Sequence, residues 1–264
     1  MLTLLLLLLS VVPGLMHAAP KPDLWPYWER HDASSSRTVD HDGWDRFLDA
    51  YLDTGHPSGI YMMEYGSVTP GDRGELDRYL GSLEKVTVTA LNRKEQMAFW
   101  LNLYNAATVR LILDHYPVDG IRDIPRPFDR KLLLVEGKEL SLNDIEHRIL
   151  RPIFKDSRIH YAVNCASLGC PNLQPFAYKA DNLEELLERG AREYIRHPRG
   201  MRIEGRVMTL SSIYTWFRED FGDSEKGVLE HLARYASPAM RDDVKTFTGR
   251  IRYRYDWSLN EAGS

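Results

Sequence analysis

This chain is poor in cysteine: Cys165 and Cys170 are the only two in 264 residues. A disulfide-dense scaffold is therefore excluded, and at most one intramolecular bridge can form. Their spacing also lacks the Cys-x-x-Cys of redox oxidoreductases, which argues against disulfide exchange of that type. Basic charge is not in excess. Lys plus Arg total 34 against 38 Asp plus Glu, a formal net charge of -4, and the basic residues are scattered. That removes the electrostatic case for a nucleic-acid partner. No internal repeat occurs, and beyond the N-terminus no stretch reaches the apolar length of a membrane span. The mature chain is thus expected to carry no transmembrane segment.

What the N-terminus does have is an unbroken leucine run from Leu4 to Leu9, then Val11, Val12, a Pro13-Gly14 break and the small residues Ala18 and Ala19. An apolar segment too short to span a bilayer, followed by a helix break and small residues, has the order of a secretory signal. No Lys or Arg precedes the run, and the cleavage point is ambiguous: a cut after Ala18 leaves bulky Met16 at the third position back, and one after Ala19 leaves Pro20 next. Residues 1–19 are accordingly expected to be a signal peptide and the protein to be exported, periplasmic or secreted. Residues 20–264 are long enough for one α+β domain with a continuous core. An oxidising compartment makes a cysteine pair plausible as a disulfide.

Periodicity sets the organisation. Residues 20–36 read as an extended arm anchored by Trp25, Tyr27 and Trp28. Helices are expected over 42–54 and 70–83, where apolar residues recur at helical spacing. The strongest helix signal covers 92–116: Asn92 and Glu95 have the form of a capping box, and Pro117 stops the run. Its middle is apolar nearly all round, so this should be the central, buried helix. Hairpins are expected around Glu136-Gly137-Lys138 and Gly205-Arg206, with a short helix over 141–151 capped by Ser141 between them. A buried strand is expected over 159–165, helices over 182–197, 212–221 and 224–235, and a last strand over 250–255. Without a regular strand-helix-strand rhythm, the class is α+β with a small, mainly antiparallel sheet.

Three strings carry a further resemblance: Phe99-Trp-Leu-Asn-Leu-Tyr-Asn-Ala, Leu142-Asn-Asp-Ile-Glu-His-Arg-Ile-Leu-Arg, and Arg158-Ile-His-Tyr-Ala-Val-Asn-Cys-Ala-Ser-Leu-Gly-Cys-Pro. In this order they resemble the domain-of-unknown-function family 547, most strongly over 85–197. The closing Tyr255-Asp-Trp-Ser-Leu-Asn is similar to the end of its bacterial members. The resemblance implies a fold neighbourhood and a set of residues to watch, above all Glu146 and His147. It implies no activity.

The chemistry-bearing residues leave three readings open. Cys165 and Cys170 form a disulfide closing a short loop, or one of them is a nucleophile, or both join a His at a zinc ion. If Pro171 opens a helix, Cys170 sits at its N-terminus, where the dipole lowers a thiol pKa and free N–H groups hold an oxyanion. His147 is the candidate general base, with Asp144, three residues away on the same helical face, or Glu146 orienting its ring. The alternative is surface ion pairs of those carboxylates with Arg148 or Arg151. His160, on the strand face opposite Cys165, reads as a hydrogen-bonded structural histidine. Asn102 and Asn105 are amides on a buried helix, expected to brace the loop from Asn164 to Pro171 or to line a cavity. Trp100 nearby reads as core more than as a ligand platform.

The leading expectation is a thiol-dependent hydrolase or acyl transferase acting on an amide or thioester. It uses Cys165 or Cys170, His147 and Glu146, with no cofactor. The central helix carries no Cys, so any papain- or transglutaminase-like arrangement would be a rearranged one. The alternative expectation is a disulfide-stapled envelope binding or scaffolding module that takes a small molecule or peptide without catalysis. A zinc-binding protein comes third.

Overall fold

In a computed structural model that describes residues 20–263, helices α1 (Asp42–Tyr51) and α2 (Pro70–Leu83) lead to α3 (Arg93–His115). The segment read as a signal peptide lies outside the described residues. Helix α3 is buried from Glu95 through Val109 and again at Leu111, Ile112 and Leu113, because its apolar residues leave no polar face to turn to water. The Asn92 side chain accepts from the Glu95 N–H at 3.0 Å, so half of the expected capping box forms. The other half does not: the Glu95 carboxylate instead accepts the Val39 N–H at 2.7 Å, anchoring the chain that leads into α1.

Short two-residue strands β1 (Leu52–Asp53) and β2 (Met62–Met63) pair antiparallel, as do β3 (Leu133–Val135) and β4 (Lys138–Leu140). The β3–β4 turn places both Glu136 and Gly137 at positive φ. Such a turn matches the twist of a hairpin but costs a non-glycine residue strain. Glu136 is held there by its carboxylate, which accepts from Tyr27 Oη at 2.8 Å and from the Thr89 N–H at 2.8 Å. Further on, α4 (Arg151–Phe154), α5 (Leu183–Arg196), β5 (Met201–Glu204), β6 (Val207–Ser211), α6 (Ile213–Trp216), α7 (Glu225–Tyr235), α8 (Arg241–Lys245) and β7 (Arg250–Arg254) complete the chain. Strand β6 is central in its sheet, antiparallel to β5 and parallel to β7. The expected α+β class with small, mostly antiparallel sheets is the observed one.

Two buried clusters lie side by side. The larger surrounds α3, and the smaller gathers Tyr194, Met208, Tyr214, Phe221 and Leu232 from the C-terminal third around Tyr161. The segments carrying the candidate residues run between them, and here the structure departs from the sequence expectations three times.

Residues 141–151 do not form an ordinary α-helix. Ser141 caps as expected, accepting the Asp144 N–H at 3.1 Å. Asp144–Leu150 is then a π-helix, in which the Arg151 N–H reaches back to Glu146 O. Pro152 explains the widening, because it has no N–H for the carbonyl of Arg148 and its ring crowds that carbonyl. The freed oxygens are taken by the N-terminal arm: Asp23 N–H donates to His147 O at 2.9 Å and Trp25 N–H to Arg148 O at 3.0 Å.

The expected strand over 159–165 is also absent. Ser157–Tyr161 is a 3₁₀ helix capped by Asp156, and the chain then continues as a loop. No neighbouring strand is needed there, since the Asn105 amide donates to Ala162 O at 2.9 Å and accepts the Asn164 N–H at 2.8 Å. Finally, no helix follows Pro171. Its carbonyl accepts from Asn164 Nδ2 at 2.8 Å and so does not start a helical ladder. Cys170 therefore has no helix dipole or N-terminal N–H cluster beside it.

Candidate functional site

Cys165 and Cys170 are joined to each other as a disulfide, with Cα atoms 6.2 Å apart, and the described residues contain no free cysteine. Around the bridge, Tyr255 Oη lies 3.1 Å from Cys165 Sγ and 3.2 Å from Cys170 Sγ, and Ser167 Oγ lies 3.2 Å from Cys165 Sγ. The loop is pinned to the C-terminal segment: Leu168 N–H donates to Ser258 O and Gly169 N–H to Asp256 O, both at 2.8 Å. Gly169 is required by this approach, because a Cβ there would stand 2.7 Å from the Asp256 oxygen.

The histidines and carboxylates form a separate, buried network. Tyr104, from α3, donates to Glu146 Oε2 at 3.2 Å. The other oxygen, Oε1, faces His160 Nδ1 at 3.8 Å and His147 Nδ1 at 3.9 Å. His160 Nε2 donates to Asp220 Oδ2 at 2.7 Å, and its ring stacks on Phe217 with centroids 4.3 Å apart. Arg151, its side chain 1% exposed, ties the set together. It donates to Asp220 at 2.6 Å, Glu219 at 2.9 Å, Pro20 O at 2.7 Å and His147 Nδ1 at 3.1 Å, and its guanidinium lies 4.9 Å over the Phe217 ring.

Electrostatics follow from that geometry. Burial pushes the Glu146 carboxyl above the usual range, against the pull of His160 and Arg151. Burial, reinforced by the Arg151 charge, lowers His147 to about 3. Because Arg151 donates to Nδ1, His147 is neutral with its proton on Nε2. Burial opposes ionisation of Asp220 too, but the hydrogen bonds from His160 and Arg151 outweigh it and hold Asp220 below the usual carboxylate range.

His147 gives a pH prediction. A folded-state pKa below the unfolded value means the unfolded chain binds the proton that the folded one refuses, so stability is present above about 6.5 and lost as pH falls. Between pH 6.5 and 5 this histidine alone should remove about 2 kcal/mol. Urea melts of the protein and of His147→Gln across that range check it: the variant should show a visibly shallower fall, and parallel curves would refute the assignment.

The expected pairing of His147 with a sulfur is thus corrected. His147 faces Arg151 and Glu146, while the sulfurs face Tyr255 and Ser167. Asp144 does not orient His147 either: it accepts from Ser141 Oγ at 2.7 Å and pairs with Arg148 at 3.2 Å and with Lys131. Glu146 turns inward with His147 because the π-helix is enclosed on almost every side. Asn105 reaches Asn164 at the foot of the cysteine loop, whereas Asn102 instead clamps the backbone of Tyr178, donating to its carbonyl at 2.7 Å and accepting its N–H at 2.9 Å. Trp100 packs edge-on against Trp28 and Phe99 in the core. A disulfide supplies no thiolate pair to zinc, and among the described residues no three His, Cys, Asp or Glu are grouped to hold a metal ion.

Sequence reasoning missed Asp220, Glu219, Phe217 and Tyr255 and took Arg151 for a surface residue. Pro152 was the usable signal for the π-helix, and nothing local marks Asp220, which meets His160 across sixty residues.

A disulfide-closed loop and a buried carboxylate–histidine–arginine network on an α+β scaffold define the class of protein. More particularly, residues 88–195 match the family described as Protein of unknown function, DUF547. The match holds Glu146, His147, Arg151, His160 and both cysteines, whereas Phe217, Glu219, Asp220 and Tyr255 lie beyond it. No curated protein and no solved structure matches the chain significantly.

Proposed function

We propose that this chain is an exported binding module, one α+β domain over 20–264, that takes a small zwitterionic molecule or short peptide beside Arg151. One observation carries the reading: both sulfurs are committed to each other and the imidazole nearest Glu146 on the π-helix is committed to Arg151. A thiol-dependent hydrolase or acyl transferase needs a free sulfur with a base in reach. Neither is at hand in this oxidised form. What stays open to solvent is the outer edge of the network, a cleft of about 490 Å³ lined by Pro22, Leu24, Arg151, Lys155, Glu219 and Asp220. Its charges of both signs suit a ligand bearing an amine and a carboxylate, and Leu24 offers an apolar lip.

Calorimetry with free amino acids and dipeptides tests this. One of them should bind the intact protein, and Lys155→Ala or Glu219→Gln should each weaken it about tenfold while the circular dichroism spectrum stays unchanged. Absence of binding throughout the set, or amide or thioester hydrolysis abolished by Cys165→Ser, would overturn the reading.

A further inference from the structure

The disulfide loop has features that a purely structural bridge does not need, and they are independent of the cleft. Its two sulfurs are unequal. Cys165 is partly exposed, whereas Cys170 is 3% exposed. Hydroxyls lie near both sulfurs, Tyr255 Oη at 3.1 Å and Ser167 Oγ at 3.2 Å from Cys165 and Tyr255 Oη at 3.2 Å from Cys170, but only the buried sulfur also accepts a backbone N–H, that of Cys165 at 2.8 Å. A disulfide sulfur is a weak acceptor, but a thiolate is a strong one, so the two contacts to Cys170 strengthen as charge develops on it. Arg199 adds a nearby cation, its guanidinium donating to Leu168 O at 3.1 Å within the same loop.

The loop is also held by contacts other than the S–S bond. The Cys170 N–H donates to Ser167 O at 2.9 Å, the Ala166 N–H to Asn164 Oδ1 at 2.8 Å and Tyr194 Oη to Gly169 O at 2.6 Å, in addition to the bonds from Leu168 and Gly169 to the C-terminal segment. None of these hydrogen bonds depends on the bridge, so they would keep the two sulfurs close once it opens.

We propose that Cys165–Cys170 is an exchange site for small thiols, in which the thiolate of a molecule such as glutathione attacks Cys165 Sγ and Cys170 departs as a thiolate. The new bond joins the small thiol to Cys165, the protein S–S bond breaks, and its electron pair stays on Cys170, received by the Cys165 N–H and Tyr255 O–H. A second small thiolate then attacks the sulfur of the bound one. It releases Cys165 as a thiolate and leaves as the small-molecule disulfide. Two small thiols are oxidised, the protein disulfide is reduced, and the two protons from the thiols end on the cysteines. The asymmetry sets the order, because Cys165 is the partly exposed residue of the pair and Cys170 the buried one whose departing thiolate gains the backbone donor.

The oxidised protein, incubated without oxygen at neutral pH in millimolar glutathione, is sampled by acid quench, alkylation and peptide mass spectrometry. Expected are a glutathione adduct on Cys165 and an alkylated Cys170, at a rate that rises with glutathione and is insensitive to sub-denaturing urea. Tyr255→Phe, its fold checked by circular dichroism, should slow the first step roughly threefold to tenfold. Should that variant not fold, the position of the adduct in the unaltered protein still decides. An adduct on Cys170, reduction that tracks urea unfolding, or an unchanged rate in folded Tyr255→Phe would each overturn the proposal.

Discussion

Arg151→Met should lower the unfolding free energy by about 3–5 kcal/mol, the usual cost of removing one partner from a buried charged network. The guanidinium is enclosed and makes four hydrogen bonds, to Asp220, Glu219, Pro20 and His147. Methionine keeps an apolar side chain of similar length but removes the guanidinium over Phe217 and leaves Asp220 with His160 as its remaining side-chain partner. Arg148 is the control. It also pairs with two carboxylates, Asp144 and Asp23, but is 36% exposed, so Arg148→Met should cost only about 0–1 kcal/mol. Urea melts at neutral pH compare the two, and an Arg151→Met loss no larger than that of Arg148→Met would show that the network contributes little. The His147 ring supplies a second readout: with the neighbouring cation gone, its pKa should move up toward the ordinary value.

Trp100→Ala should cost about 3–5 kcal/mol, because the ring is 1% exposed and its removal leaves a cavity in the centre of the larger core. The effect should also be felt at the site. Trp100 meets Trp28 edge-on at 4.9 Å, and Trp28 in turn packs on Tyr27 at 4.8 Å and Trp25 at 6.1 Å. These residues anchor the arm whose Asp23 and Trp25 N–H groups serve the π-helix carbonyls. Amide exchange at Asp23 and Trp25 should therefore accelerate in the variant before that of α5 does. Unchanged protection of both amides would separate the core from the arm.

Local order was legible where local chemistry decides it. Helix α3 announces itself through an apolar surface on all sides and an Asn92 cap, and both hairpins through glycines placed where φ turns positive. The candidate site was legible as residue types and not as partners. Glu146, His147, His160 and the cysteines all stand out along the chain, yet the pairing of His147 with a sulfur failed because each has a different partner. Arg151 takes the His147 nitrogen, and Tyr255 takes the sulfurs. Periodicity assumes a regular helix or strand, and both assumptions broke at this site: Pro152 widened one segment, and the Asn105 amide replaced a strand partner for the other. Tertiary hydrogen bonds override a local pattern most readily where buried polar groups must be satisfied.

The central claim, that the cysteines are bonded to each other and that the polar network acts without a thiol, is tested most directly by alkylation. Protein purified without reductant should take up no iodoacetamide at about pH 6 while folded or when unfolded in urea, and should take up two equivalents only after reduction, because a disulfide is inert where a low-pKa thiolate reacts. Labelling of Cys165 or Cys170 in the folded, never-reduced protein would contradict the account and return the site to a nucleophilic cysteine.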